Sequence, residues 1–206
     1  MAAMQVDLTR RFGFAEAFAF TLHNGQRRKG NGVPYYAHLM AVTATVLDFG
    51  GSEDAAIAAM LHDAVEDQGG SRILREIETR YGKHVAQVVL TVSDCVDPPK
   101  PPWSKRKADY VKRLAAGSRD AKIVAAADKL HNLRCTVADV REQGPAVMLK
   151  FNAPAVDLVA YYDACIGAVA SDIPKGLLAA LDWTLAELRM LLSLPQPSAF
   201  RFGAPA

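Results

Sequence analysis

The chain has 206 residues, half of them apolar, enough to bury one substantial core but too few for a second catalytic module. Its 24 Lys and Arg against 22 acids leave a formal net charge of +2, which gives no global field for a nucleic acid polymer or an anionic membrane. Cys95, Cys135 and Cys165 form no CxxC pair, no basic-then-apolar leader opens the sequence, and its apolar stretches stop well short of about 18 residues, so a cytoplasmic, reducing location off the membrane is expected.

Helical periodicity dominates and alternating β-branched runs are nearly absent, which predicts an all-α fold. A first helix is expected over 7–26, with Phe14, Phe18 and Leu22 on one stripe, ending in the basic loop Arg27-Arg28-Lys29-Gly30-Asn31-Gly32. Pro34 suits the first turn of a second helix that carries His38, Val42 and Val46 and stops at Gly50-Gly51. Ser52 reads as an N-cap, with Glu53 and Asp54 in the first turn of an Ala-rich interior helix running through His62 and Asp63 to Gln68.

Short helices follow at 71–80 and 82–95. The segment Asp97-Pro98-Pro99-Lys100-Pro101-Pro102 cannot be helical and reads as a linker or loop. A charged helix over 104–116 precedes a longer one from Ser118 to about Glu142, whose stripe is Ile123, Ala127, Leu130, Leu133, Val137 and Val140. Helices at 154–170 and 175–194 complete a single domain, with a core in 1–142, C-terminal helices in 143–206 and a frayed tail after about 195.

Chemistry concentrates where charge is costly. His62 and Asp63 lie in a run of small apolar residues, and Asp128 follows Ala125-Ala126-Ala127, so each carboxylate needs a compensating partner. A divalent cation held by Asp63 and Asp128, with imidazole nitrogens from His38 and His62, would supply one. A lone HD dipeptide is weak support for such a site, and the four residues gain weight only together. Glu66 and Asp67 lie four residues after His62 and Asp63, one helical turn along, where they could orient a metal-bound water and handle its proton. By contrast, nothing near His84 makes it a ligand, and His131 is expected to support packing or contact a ligand from behind. The basic stretch Lys105-Arg106-Lys107 with Lys112-Arg113 is equally well read as a phosphate site or as a solvated face. Tyr35, Tyr36 and Trp103 could flank a base, although aromatics so placed more often pack the core.

Three stretches resemble the hydrolase domain of the RelA/SpoT family, most closely its stand-alone small alarmone hydrolases, an HD-type fold. They are His23-Asn24-Gly25-Gln26-Arg27-Arg28-Lys29 with Pro34-Tyr35-Tyr36-Ala37-His38, then Leu61-His62-Asp63-Ala64-Val65-Glu66-Asp67, then Ala127-Asp128-Lys129-Leu130-His131-Asn132-Leu133-Arg134. The resemblance covers residues 8–142. It implies one Mn²⁺ per chain on His38, His62, Asp63 and Asp128, with Glu66 and Asp67 assisting attack of water on a 3′-pyrophosphate. It places Arg28, Lys29, Lys129 and Asn132 on the nucleotide. The implied reaction turns (p)ppGpp into pyrophosphate and GDP or GTP, without an attached synthetase. Two departures bear on base recognition: the loop from Lys29 to Pro34 is one residue longer than usual, and Cys135 stands where many relatives have threonine. The same chemistry would serve (p)ppApp or the 2′-phosphate of NADPH. A nucleotide-binding regulator without catalysis is disfavoured by the full set of donors and acids, and homo-oligomerisation is left open.

Overall fold

The computed structural model describes residues 6–29 and 32–195. Among these residues there are ten α-helices and one 3₁₀ helix, and the only extended pairing is a bridge between Arg27 and Pro34. The helices are α1 (Arg10–His23), α2 (Tyr36–Asp48), α3 (Glu53–Leu61), α4 (Ala64–Gln68), α5 (Gly70–Tyr81), α6 (Lys83–Val92), α7 (Trp103–Ala115), α8 (Arg119–Gln143), α9 (Ala155–Val169) and α10 (Lys175–Leu191). The fold is all-α, as periodicity predicts. Gly30 and Asn31 of the basic loop, and the tail beyond Pro195 expected to fray, lie outside the described residues.

The centre of the fold is α3, in which every residue from Ala55 to Leu61 is buried. Its alanines let α1, α2, α6 and α8 approach from several sides. Ser52 caps it as predicted, accepting from the Ala55 N–H at 3.0 Å. The second organising element, α8, is roughly 38 Å long at 1.5 Å per residue. It buries the whole predicted stripe from Ile123 to Val140, and α2, α9 and α10 pack against it.

Several boundaries differ from expectation for identifiable reasons. In α1 the residues facing the core are Ala15, Ala19 and His23, and Phe14 is 68% exposed. Small residues on that face let α1 sit close to α3, which rotates Phe14 outward. Pro34 precedes α2 instead of opening it, because it pairs with Arg27: the Arg28 N–H donates to Val33 O and the Tyr35 N–H to Gln26 O, both at 2.9 Å. The helix expected to run unbroken to Gln68 stops at Leu61 and restarts at Ala64. At the break, His62 Nδ1 donates to the Ala59 carbonyl at 2.8 Å, the acceptor that an unbroken helix would offer to the Asp63 N–H.

The proline-rich segment is anchored by Asp97. Its carboxylate accepts from the Ser71 N–H at 3.0 Å, capping α5, and also from the Ser71 hydroxyl. Gly70 makes this approach possible: it has φ +56°, and a Cβ there would stand 2.1 Å from Asp97 Oδ1. The 3₁₀ helix Pro145–Lys150 was not expected. After it, α9 packs on α7 and α8. No helix among the described residues is long and apolar enough to cross a membrane.

Candidate metal centre and adjoining pocket

Three helical elements bring four side chains to one point: α2 supplies His38, the α3–α4 break supplies His62 and Asp63, and α8 supplies Asp128. His38 Nε2 and His62 Nε2 are 3.2 Å apart. Asp63 Oδ2 lies 3.0 Å from His62 Nε2 and 3.5 Å from His38 Nε2, while Asp128 Oδ1 lies 3.3 Å from His38 Nε2 and 3.7 Å from His62 Nε2. Donor atoms of His38, His62 and Asp128 all fall within 4.8 Å of one another.

Hydrogen bonding on the far side of each ring decides what these nitrogens offer. Because His62 Nδ1 carries the proton given to Ala59 O, its Nε2 presents a lone pair in the neutral ring. His38 Nδ1 meets His131 Nδ1 at 2.8 Å, so one of the two donates. Burial, then His38 and Arg28, push His131 down to about 4. A neutral His131 can accept from His38 Nδ1 and turn the lone pair of His38 Nε2 toward the cluster.

Four acceptors at such distances repel unless a cation or a proton lies among them, and two imidazoles with two carboxylates suit a divalent ion of mixed N/O preference. The residues fit a metal. Without one, burial would depress the His62 imidazolium, yet the Asp63 and Asp128 carboxylates hold it well above its ordinary range. Burial would likewise raise the Asp128 carboxyl, but Lys129 and the two imidazoles hold it well below. Lys129 Nζ and Asn132 Nδ2 donate to Asp128 Oδ2 and Oδ1, each at 2.6 Å, and the Tyr35 hydroxyl donates to Asp63 Oδ2, also at 2.6 Å.

Tyr35, Lys129 and Asn132 also line a pocket of about 550 Å³, so the cavity abuts the cluster through groups bonded to it. Eight cationic side chains line the pocket against four acidic ones, a local excess twice the net charge of the whole chain. Arg28, Lys29, Glu66 and Asp67 are on this wall. Arg28 Nη2 donates to Asn132 Oδ1 at 2.9 Å and its guanidinium lies 5.8 Å from the Tyr35 ring centroid. Glu66 pairs with Lys100 at 2.8 Å and accepts from the Asp94 N–H at 3.3 Å. Burial and the neighbouring Asp63 charge raise the Asp67 carboxyl above its usual range, which makes it a better proton acceptor.

The basic stretch of α7 divides between its two readings. Arg106 and Lys107 line the pocket, both paired with Asp94, whereas Lys105 pairs with Asp109 along the exposed face. Arg113 donates to the Thr91 and Ser93 carbonyls. Tyr161 and Tyr162 of α9 also line the cavity. Sequence reasoning passed over them, since tyrosines on an apolar helix carry no signal that distinguishes a pocket wall from a core.

A profile of the HD domain family matches residues 15–151. The guanosine-3′,5′-bis(diphosphate) 3′-pyrophosphohydrolase of Xenopus tropicalis is 38% identical over 136 residues, which are 63% of this chain and 73% of the relative. The human counterpart is 38% identical over 123 residues, 58% of this chain and 66% of the relative. A probable enzyme of the same description from Synechocystis is 36% identical over 123 residues, and the match spans only 16% of its length. Among solved structures, a metazoan ortholog of SpoT that hydrolyses ppGpp superposes with a TM-score of 0.69 at 24% identity, covering 90% of this chain and 97% of that one. A Listeria monocytogenes protein gives 0.62 at 22% identity, covering 76% and 99%. At these identities the two structures establish the shared fold.

Proposed function

This chain belongs to the HD domain family, and from that premise we propose that it is a Mn²⁺-dependent 3′-pyrophosphohydrolase of (p)ppGpp-type alarmones, releasing pyrophosphate and GDP or GTP. The observation that carries the proposal is the juxtaposition of the His38, His62 and Asp128 cluster, with Asp63 against both imidazoles, and a cation-rich pocket whose wall also holds Glu66 and Asp67. Relatives named for this activity support the choice of substrate.

In this reading the four clustered residues hold the cation, which when bound polarises a phosphoryl oxygen and lowers the pKa of a water. Asp67, with its raised carboxyl, takes the proton of the attacking water. Glu66, tethered by Lys100 and the Asp94 N–H, orients that water. Arg28 and Lys29 engage base and phosphates from the loop, and the pocket's excess of cations offsets the substrate's charge. Lys129 and Asn132 face the nucleotide while bonded to Asp128, so a substrate contact there bears directly on a metal ligand.

Cys135 favours a second reading of the base. It lines the pocket, and a thiol is a poor hydrogen-bond partner for selecting guanine. Incubating the purified protein with Mn²⁺ and ppGpp, ppApp or NADPH tests both readings. Pyrophosphate and GDP are expected from ppGpp. Turnover of ppApp or NADPH alone would move the substrate assignment, and tight binding without product from any of the three would make the protein a regulator.

A further inference from the structure

His23, the last residue of α1, is buried and stacks on Tyr35 with ring centroids 5.5 Å apart and planes 13° apart. Gln26 lies in the turn that follows. Its backbone is fixed at both ends: its N–H donates to His23 O at 3.0 Å, and its carbonyl accepts from the Tyr35 N–H at 2.9 Å. The side chain is fixed as well. Nε2 lies 2.8 Å from Asp67 Oδ2, and Oε1 lies 2.7 Å from both Gln68 Nε2 and His23 Nδ1.

The direction of every bond in this chain follows from chemistry. An ionised carboxylate only accepts, so the amide nitrogen of Gln26 must face Asp67 and its oxygen must face His23 and Gln68. Since that oxygen only accepts, His23 Nδ1 must carry a proton. Burial lowers the His23 imidazolium, which leaves a neutral ring whose single N–H is the one spent on Gln26. The chain therefore runs His23 to Gln26 to Asp67, with Gln68 as a second lock on the amide. Fixing Asp67 Oδ2 sets the rotation of the carboxylate and hence the direction of Oδ1.

Building on the hydrolase reading above, we propose that Gln26 is a positioning residue for Asp67, its amide held in one orientation by His23 and Gln68. A proton acceptor must be held within about 0.5 Å and 10–20° of its productive geometry, and Asp67 sits on α4, a helix of only five residues. The turn after α1 supplies that constraint from outside the helix.

The test uses the full chain with Mn²⁺. Gln26→Leu is expected to lower kcat on ppGpp on the order of 10- to 100-fold while KM and bound metal stay at wild-type levels. His23→Leu should lower kcat in the same direction. His23→Asn, whose Nδ2 can take the place of the ring Nδ1–H, should recover most of it. A merely structural role would instead lower thermal stability and metal content together and give no recovery with Asn; either that pattern or an unchanged kcat in Gln26→Leu overturns the proposal. Should Gln26→Leu fail to fold, the His23 pair decides by the same criterion. Independently of turnover, the ¹⁵N shifts of the His23 imidazole should report the Nδ1–H tautomer, and an Nε2–H tautomer contradicts the chain. If the wild-type protein turns over no nucleotide, the hydrolase reading fails, while the imidazole shifts still decide the orientation of Gln26.

Discussion

At Asp128 the site's competing demands meet in one carboxylate: two imidazoles on its Oδ1 side at 3.3 and 3.7 Å, an amide donor to Oδ1 and an ammonium to Oδ2. Asp128→Ala should therefore abolish both Mn²⁺ binding and turnover, since it removes a charged donor from a set of four and leaves Lys129 buried without its partner. Metal analysis of the purified variant checks this, and full occupancy with normal turnover would remove Asp128 from the ligand set. The acids beyond the cluster should behave differently. Glu66→Gln and Asp67→Asn should keep their metal and KM while kcat falls about 10²- to 10⁴-fold. Loss of metal in step with activity would make them part of the coordination scaffold. Asp63 and Asp128 stood out in the sequence because a carboxylate in an alanine run announces an unmet charge. Of the donors' supports, His131 behind His38 matches the contact expected of it, whereas Tyr35 against Asp63 joins distant segments and residue type alone does not announce it.

Among the elements, the long helices were legible and the irregular joints were not. The stripe on α8 is a property of its own sequence, so periodicity located it. The break between α3 and α4 was invisible to propensity, because its cause is one imidazole taking a carbonyl from the backbone ladder. The same contrast holds for α7, where a charge run alone cannot say which cations turn inward. Lys107 did, and burial followed by the Lys129 and Arg106 charges pulls it down to about 8, although Asp94 Oδ2 lies 3.1 Å away and is shared with Arg106. In the free enzyme Lys107 is thus protonated below about pH 8 and loses its charge as pH rises through that value. An anionic substrate should bind less well above it, so kcat/KM for ppGpp should fall on the alkaline side with an apparent pKa near 8. Lys107→Met should start from a lower kcat/KM at pH 7 and lack that limb. A limb that persists in the variant assigns it to another group.

For the molecule as a whole, a cation held by the cluster would also act as a cross-link. His38 comes from α2, His62 and Asp63 from the end of α3, and Asp128 from the middle of α8, and these helices are mutually packed at the centre of the core. Overall composition gave no hint of this, since a net charge of +2 conceals both a buried acidic cluster and a pocket rich in cations. Folding the chain without a metal brings two carboxylates and two imidazoles together at the junction of three helices, where the carboxylates favour a proton on His62 in place of a cation. Binding a cation to the native state alone should stabilise it by about 2.7 kcal/mol at a hundredfold excess over Kd, a shift of roughly 5–11 °C in Tm for a chain of this size. Thermal melts with EDTA and with Mn²⁺ should therefore differ by that order. Because the effect acts through the ligands, Asp128→Ala should melt at the same temperature in both conditions, whereas Glu66→Gln should keep the wild-type response. A wild-type Tm indifferent to Mn²⁺, or an Asp128→Ala variant that still responds, would show that the ion does not join these helices.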